Sequence, residues 1–289
     1  TQGRSFWILD DVTPLHEVDA EIAASDLHLY SPRAAYRAEY DRPAPGQTYP
    51  RDFGGGARLK EQIVGENPAP GALLHYHLGD DVEAEVTLEV LDGSGSVVRS
   101  FSSEGSGEDA LPARPGLNRL SWDLTYPGVS GEHVSESGFD AVPGTYEVRL
   151  SAAGATQTAS LEVRKDPRIP ATVAELQDQF ELTRDIRDRL REIDDALTAI
   201  HEVREQANAL SERIADDDGA APAEIDERRQ ALLEALEVVE GRLDRLPELG
   251  GIMGYSRPQL ASEYGRLYDI VRSADAGPTA QARERYEDL

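Results

Sequence analysis

The stretch 166–180, DPRIPATVAELQDQF, decides how this chain is read. Asp166-Pro167 and Pro170 close an extended segment, because proline cannot donate to a strand ladder and is expelled from a helix interior. Thr172 then stands three residues before Glu175. That is the spacing of a capping box, in which hydroxyl and carboxylate each satisfy a backbone N–H at the helix start. The spacing predicts a helix from 172 onward, with a change of hydrophobic period at that point.

Downstream, Leu176, Phe180, Ile186, Leu190, Ile193, Leu197 and Ile200 recur mostly three and four apart and line one stripe of a helix. Asp216-Asp217-Asp218-Gly219 with Pro222 breaks it. A second stripe runs through Ile225, Leu232, Leu236, Val239, Leu243 and Leu246 to Pro247, and a third through Leu260, Tyr264, Leu267 and Val271. Thr279 is placed to cap a fourth helix reaching Tyr286 and Leu289. The expectation for 168–289 is an all-α antiparallel hairpin or bundle that stops within its fourth stripe, leaving apolar surface for self-association or a protein partner.

Upstream the period is two. Ala72 to Leu78, Ala84 to Leu91, Ser96 to Ser102, Leu117 to Leu124, Gly144 to Leu150 and Thr156 to Val163 read as strands separated by short turns such as Asp92-Gly93-Ser94-Gly95. Val86, Leu88 and Val90 share a face, as do Leu120, Trp122 and Leu124, and Tyr146, Val148 and Leu150. Residues 67–164 are therefore expected to form an antiparallel, Ig-like β-sandwich with Trp122 in its core. Residues 21–66, in which Pro32, Pro43, Pro45, Pro50 and Gly54-Gly55-Gly56 punctuate short extended pieces such as Leu27 to Tyr30, read as connector; the triple glycine lacks the Lys-Ser or Lys-Thr of a phosphate loop. At the start, Phe6-Trp7-Ile8-Leu9 reads as a lone strand, with 1–20 as a piece that needs a sheet from upstream.

Composition narrows the function classes. With 29 Lys+Arg against 55 Asp+Glu the formal charge is -26, which repels nucleic acid and anionic membranes alike. Arginine almost replaces lysine, which stands only at Lys60 and Lys165, a skew that reads equally as codon bias or adaptation to salt. The absence of cysteine removes disulfides, thiolate metal sites and a Cys nucleophile. No run of about 20 apolar residues spans a bilayer. The chain opens at Thr1 without a charged-then-apolar leader, so any signal peptide is expected upstream.

His75 and His77 share a strand face and could be two metal ligands, but a third, from His133 or a carboxylate, has to come from afar. Half-exposed strand residues are the better reading. Asp10-Asp11 ends the first strand, yet neighbours on a strand point to opposite faces and cannot flank one bond. Asp216-Asp217-Asp218-Gly219 lacks the alternating ligands and distal Glu of a calcium loop, and no G-x-S-x-G elbow occurs. The sequence thus assigns no catalytic, cofactor-binding or metal residue, and no cofactor.

Gly3-Arg4-Ser5-Phe6-Trp7-Ile8-Leu9-Asp10-Asp11 with Thr13-Pro14-Leu15, then Ser31-Pro32-Arg33-Ala34-Ala35-Tyr36-Arg37 and Gly65-Glu66-Asn67-Pro68, carry a resemblance. So do Gly116-Leu117-Asn118-Arg119 with Trp122-Asp123-Leu124, Pro143-Gly144-Thr145-Tyr146 and Asp166-Pro167-Arg168. In that order they resemble the C-terminal region of bacterial exported sortilin-like, BNR-repeat β-propeller proteins, often labelled glycosyl hydrolases. The resemblance implies that 1–20 is the closing strand of a propeller, that the sandwich is similar to the Ig-like module of flagellar hook-capping proteins, and that the protein is secreted, periplasmic or held at the cell envelope. It implies a non-catalytic accessory region whose partner is the upstream propeller. The alternative is the tail of a sialidase-like hydrolase whose site lies in that propeller, since Asp-box repeats are absent from this chain.

Overall fold

A computed structural model describes residues 11–38, 71–80, 84–218, 223–244 and 259–289. The strand expected at Phe6–Leu9, the triple glycine and Leu246 lie outside the described residues. In chain order the elements are α1 (Thr13–Glu17), α2 (Ala20–Ala23), β1 (Leu27–Leu29), β2 (Ala35–Arg37), β3 (Ala72–Leu78), β4 (Val86–Leu91), β5 (Val97–Ser102) and β6 (Gly116–Trp122). There follow β7 (Thr125–Tyr126), β8 (Val129–Ser130), β9 (Ser135–Glu136), β10 (Phe139–Asp140), β11 (Gly144–Ala152), β12 (Ala155–Lys165), α3 (Val173–Asp218), α4 (Ala223–Leu243), α5 (Leu260–Arg272) and α6 (Ala280–Asp288). The chain divides into two compact units, 1–125 with 143–169, and 126–142 with 170–289.

The first unit holds two sheets. One is antiparallel in the order β1-β3-β6; the other runs β2-β12-β11-β4-β5, antiparallel except where β2 lies parallel to β12. The alternation expected from sequence is present: Leu74, Tyr76 and Leu78, Val86, Leu88 and Val90, and Tyr146, Val148 and Leu150 are all buried. Register matches Leu88 to Leu150 and to Phe101, and Val90 to Val148, so apolar residues stack across neighbouring strands. Trp122 is 1% exposed, with its ring 5.4 Å from that of Tyr146 on the other sheet.

Three differences from the sequence reading have physical causes. The stretch read as connector supplies two strands of three residues: β1, within the extended piece Leu27 to Tyr30, and β2, too short to show a period. Gln157 on β12 holds β1 through its side chain, accepting from Leu29 N–H and donating to the Leu27 carbonyl, each at 2.9 Å. Next, β6 ends at Trp122 and Leu124 leaves the strand with φ of 64°, a left-handed conformation costly for a non-glycine residue. Asp123 makes that turn by accepting from the Thr125 N–H and hydroxyl, while the Trp122 indole donates to the Thr125 carbonyl at 3.1 Å. Gly71 is needed beside it, because a Cβ there would sit 2.0 Å from the Trp122 carbonyl oxygen. Finally, Tyr126–Val142, between two expected strands and included in the bounds 67–164 of the sandwich, belongs to the helical unit.

In that second unit the capping box forms as its spacing requires: Glu175 accepts from the Thr172 N–H at 2.7 Å, and the Thr172 hydroxyl accepts from Glu175 N–H at 3.2 Å. The α3 stripe from Leu176 to Ile200 is buried along its length, and Tyr264, Leu267 and Val271 of α5 are buried with it. Thr279 caps α6 by accepting from Ala282 N–H. At the centre sits Phe139, stacked on Tyr126 at 5.5 Å, tilted against Phe180 at 5.2 Å and edge-on to Tyr268 at 6.5 Å. The α4 stripe is different. Of its residues Leu236 and Leu243 are half-buried, on the covered face of α4 with Asp226, Arg229, Leu233 and Glu240, whereas Ile225, Leu232 and Val239 are 38%, 40% and 49% exposed.

Replacing Trp122 by Ala removes a buried aromatic and its indole hydrogen bond and should lower unfolding free energy by about 3–5 kcal/mol. Urea denaturation of the two proteins measures this, and an unchanged midpoint would contradict the placement of Trp122.

Candidate functional site

Two polar clusters involve five of the six histidines. In the first, β3 alternates so that Leu74, Tyr76 and Leu78 enter the core while His75 and His77 take the other face, where the register sets Arg119 opposite His75 and His28 opposite His77. The strand spacing dictates that shared face. Asp11, just ahead of α1, points its Oδ2 at His75 Nδ1 from 3.9 Å, and its Oδ1 accepts from the Thr13 N–H at 2.9 Å and the Thr13 hydroxyl at 2.6 Å. Asp11 and His75, unconnected in the sequence reading, are thus brought together; Asp10 lies outside the described residues.

Electrostatics follow from this geometry. Burial pushes the Asp11 carboxyl up, but the two Thr13 hydrogen bonds and the nearby His75 and Arg33 outweigh it, leaving the carboxyl below its ordinary range. Burial lowers the His75 imidazole, and Arg119 adds to this against the pull of Asp11. A neutral imidazole beside an ionised carboxylate could relay a proton, but the hydroxyl within reach, Thr13, donates to the carboxylate. Nucleophile activation requires the hydroxyl on the imidazole and the carboxylate behind it. The cluster ties α1 and its leading residue to the sheet. Glu17 does the same at the other end of the helix, 4.0 Å from His28 and accepting from Ser31 N–H.

The second cluster joins β8, β9, α3 and α4. Asp194 on α3 accepts from the backbone N–H groups of His133 and Val134, each at 2.8 Å, capping the β8–β9 turn. A Cβ on Gly131 would lie 2.0 Å from the Asp194 carboxylate, so the turn closes over that side chain only because glycine stands there. The His133 ring meets His201 edge-on at 4.4 Å, and His201 Nε2 lies 3.1 Å from Glu240 Oε1. Arg204 forks onto both Glu240 oxygens. Glu240 is 7% exposed, and the Arg204 guanidinium, against the cost of burial and with help from His201, holds its carboxyl below the usual range.

His133 therefore belongs to the second unit with His201, and His75 and His77 belong to the first. Among the described residues no group of three or more His, Asp or Glu is placed to hold a metal ion. Glu240 escapes the sequence reading; its signal is its place at the interval of Leu233, Leu236 and Leu243, where an apolar residue is expected. Compared with known protein families, curated proteins and solved structures, the chain matches none.

Because Glu240 has a depressed folded-state pKa, its contribution to stability is present above the ordinary carboxyl value of 4.5 and is lost as pH falls through the folded value. Glu240→Gln should cost about 1–2 kcal/mol near neutral pH, between the values for exposed and fully buried pairs. Urea midpoints of the wild-type and variant chains should converge below pH 4.5. A pH-independent gap would show that the Arg204–Glu240 pair does not hold the helices.

Proposed function

We propose that this chain is the non-catalytic accessory and interaction region of an exported β-propeller protein, supporting the propeller or binding a partner. One observation carries the reading: the buried or half-buried carboxylates Asp11, Asp194 and Glu240 each close a turn or join two elements through backbone N–H groups, arginine or histidine. Polar groups used in this way hold chain segments together. A hydrolase site would instead present acid and base across a cleft to one bond.

On this reading the two sheets are an Ig-like sandwich, supported by alternating buried residues on both and by the contact of Trp122 with Tyr146. Propeller and export rest on the motifs from Gly3 to Asp11 and onward that resemble the sortilin-like, BNR-repeat proteins. The excess of carboxylates also disfavours capture of anionic sugars such as sialosides.

Purified chain should give no turnover of fluorogenic glycosides or sialosides above a heat-denatured control. Turnover lost on changing one or two carboxylates would overturn the reading. In the longer parent protein, deleting this chain should lower the thermal midpoint of the propeller and leave any activity per folded molecule unchanged.

A further inference from the structure

The helices α3 and α4 run antiparallel, since His201 and Arg204 meet Glu240 while Asn208 meets Arg229. On α3 the half-buried residues facing this seam are His201, Arg204, Asn208 and Ser211; on α4 they are Asp226, Arg229, Leu233 and Leu236, with Glu240 buried. Apolar residues lie beside the seam. Val203 and Leu210 are 39% and 47% exposed, and Ile225, Leu232 and Val239 are exposed likewise.

Helical phase puts all five on one side of the hairpin. At roughly 100° per residue, Val203 and Leu210 lag the α3 seam by about 120–140°, and Ile225, Leu232 and Val239 lag the α4 seam by about 50–90°. In an antiparallel pair, positions that lag the seam on each helix emerge on the same side. The spacings of seven between Val203 and Leu210, and from Ile225 to Leu232 to Val239, keep the strip straight along both helices.

Charge selects the occupant. Within a quarter turn of the strip stand Arg213, Arg228 and Arg242, and Glu224 there is ion-paired to Arg228 at 2.7 Å. Glu202 marks the outer edge of the strip on α3, about a quarter turn out. The carboxylates of Glu205, Glu212, Glu227, Glu234 and Glu237 are rotated more than about 130° away. Two copies of a chain carrying -26 repel through most orientations, but less through this face, where over 202–213 and 224–242 three arginines stand near the strip against the two glutamates Glu202 and Glu224. A basic partner would be drawn to the glutamate faces instead. We infer that the α3–α4 hairpin is a homodimerisation surface, two copies pairing by Val203, Leu210, Ile225, Leu232 and Val239 into a four-helix arrangement.

This names the partner within the interaction reading above. Hairpins about 25 Å long and two helices wide bury on the order of 1,000 Å² in total, the lower limit of specific interfaces, so the dimer should dissociate in the micromolar range. Sedimentation velocity of the whole chain over roughly a hundredfold range of concentration should show a monomer–dimer equilibrium. Leu210→Glu with Leu232→Glu should raise the dissociation constant at least about tenfold with helical circular dichroism unchanged. Val238→Glu, at a residue 61% exposed but off the strip, should leave it unaltered. A chain monomeric throughout, or equal effects of the two variants, would overturn the inference. Neither result touches the propeller-supporting role, which is read from the parent's thermal midpoint.

Discussion

The burial of Phe139 among Tyr126, Phe180 and Tyr268 is the contact on which the helical unit depends. Phe180 arrives on α3 and Tyr268 on α5, while Phe139 and Tyr126 are delivered by a segment excised from the run of strands. Backbone contacts fix the segment in place: the Tyr268 hydroxyl donates to the Ser137 carbonyl at 2.7 Å, and Arg272 donates to the Gly138 carbonyl at 2.6 Å while its guanidinium lies over the Tyr268 ring. These bonds matter because a loop entering a core brings carbonyls that must find donors. Without 126–142, Phe180 of α3 and Tyr268 of α5 would lose Phe139 as the ring they share. The helical unit is therefore not contiguous in sequence, and its helices alone, from 170 onward, would lack their centre.

The same excursion separates what is legible in the residues from what is not. The six long strands, the Thr172–Glu175 box and the α3 stripe each declare themselves through local spacing, and the structure places them within a few residues. The excursion has no such signature. Tyr126, Val129, Val134 and Phe139 fall at intervals of three, five and five, which match neither a strand nor a helix, and the Asp123–Thr125 turn that starts it looks like any other surface turn. Of the two brief strands, β1 lies in the extended piece Leu27 to Tyr30, while β2 is hidden for a related reason, since three residues cannot display a period.

The polar clusters show the same division. That His75 and His77 share a face follows from strand spacing alone. That Asp11 should meet His75, far along the chain, follows from the packing of α1 on that face and not from any spacing. Glu240 is obscured by abundance: in a chain with 55 acidic residues, one more glutamate on a helix reads as surface. Only its alignment with Leu233, Leu236 and Leu243 sets it apart.

The hairpin seam gives these observations a common physical sense. Over the residues that pair by Arg204–Glu240 and Arg229–Asn208, α3 and α4 meet through charge and hydrogen bonds, whose net contribution after desolvation is small. Isolated helices of this length are marginal in water, and most helical stability in proteins comes from burying an apolar face. Here much of the apolar face is turned aside from the seam, as Val203, Leu210, Ile225, Leu232 and Val239 show. A polar seam fixes the register of two helices without exhausting their apolar surface. The hairpin is thus aligned by its own charges while part of its apolar surface stays outside the seam.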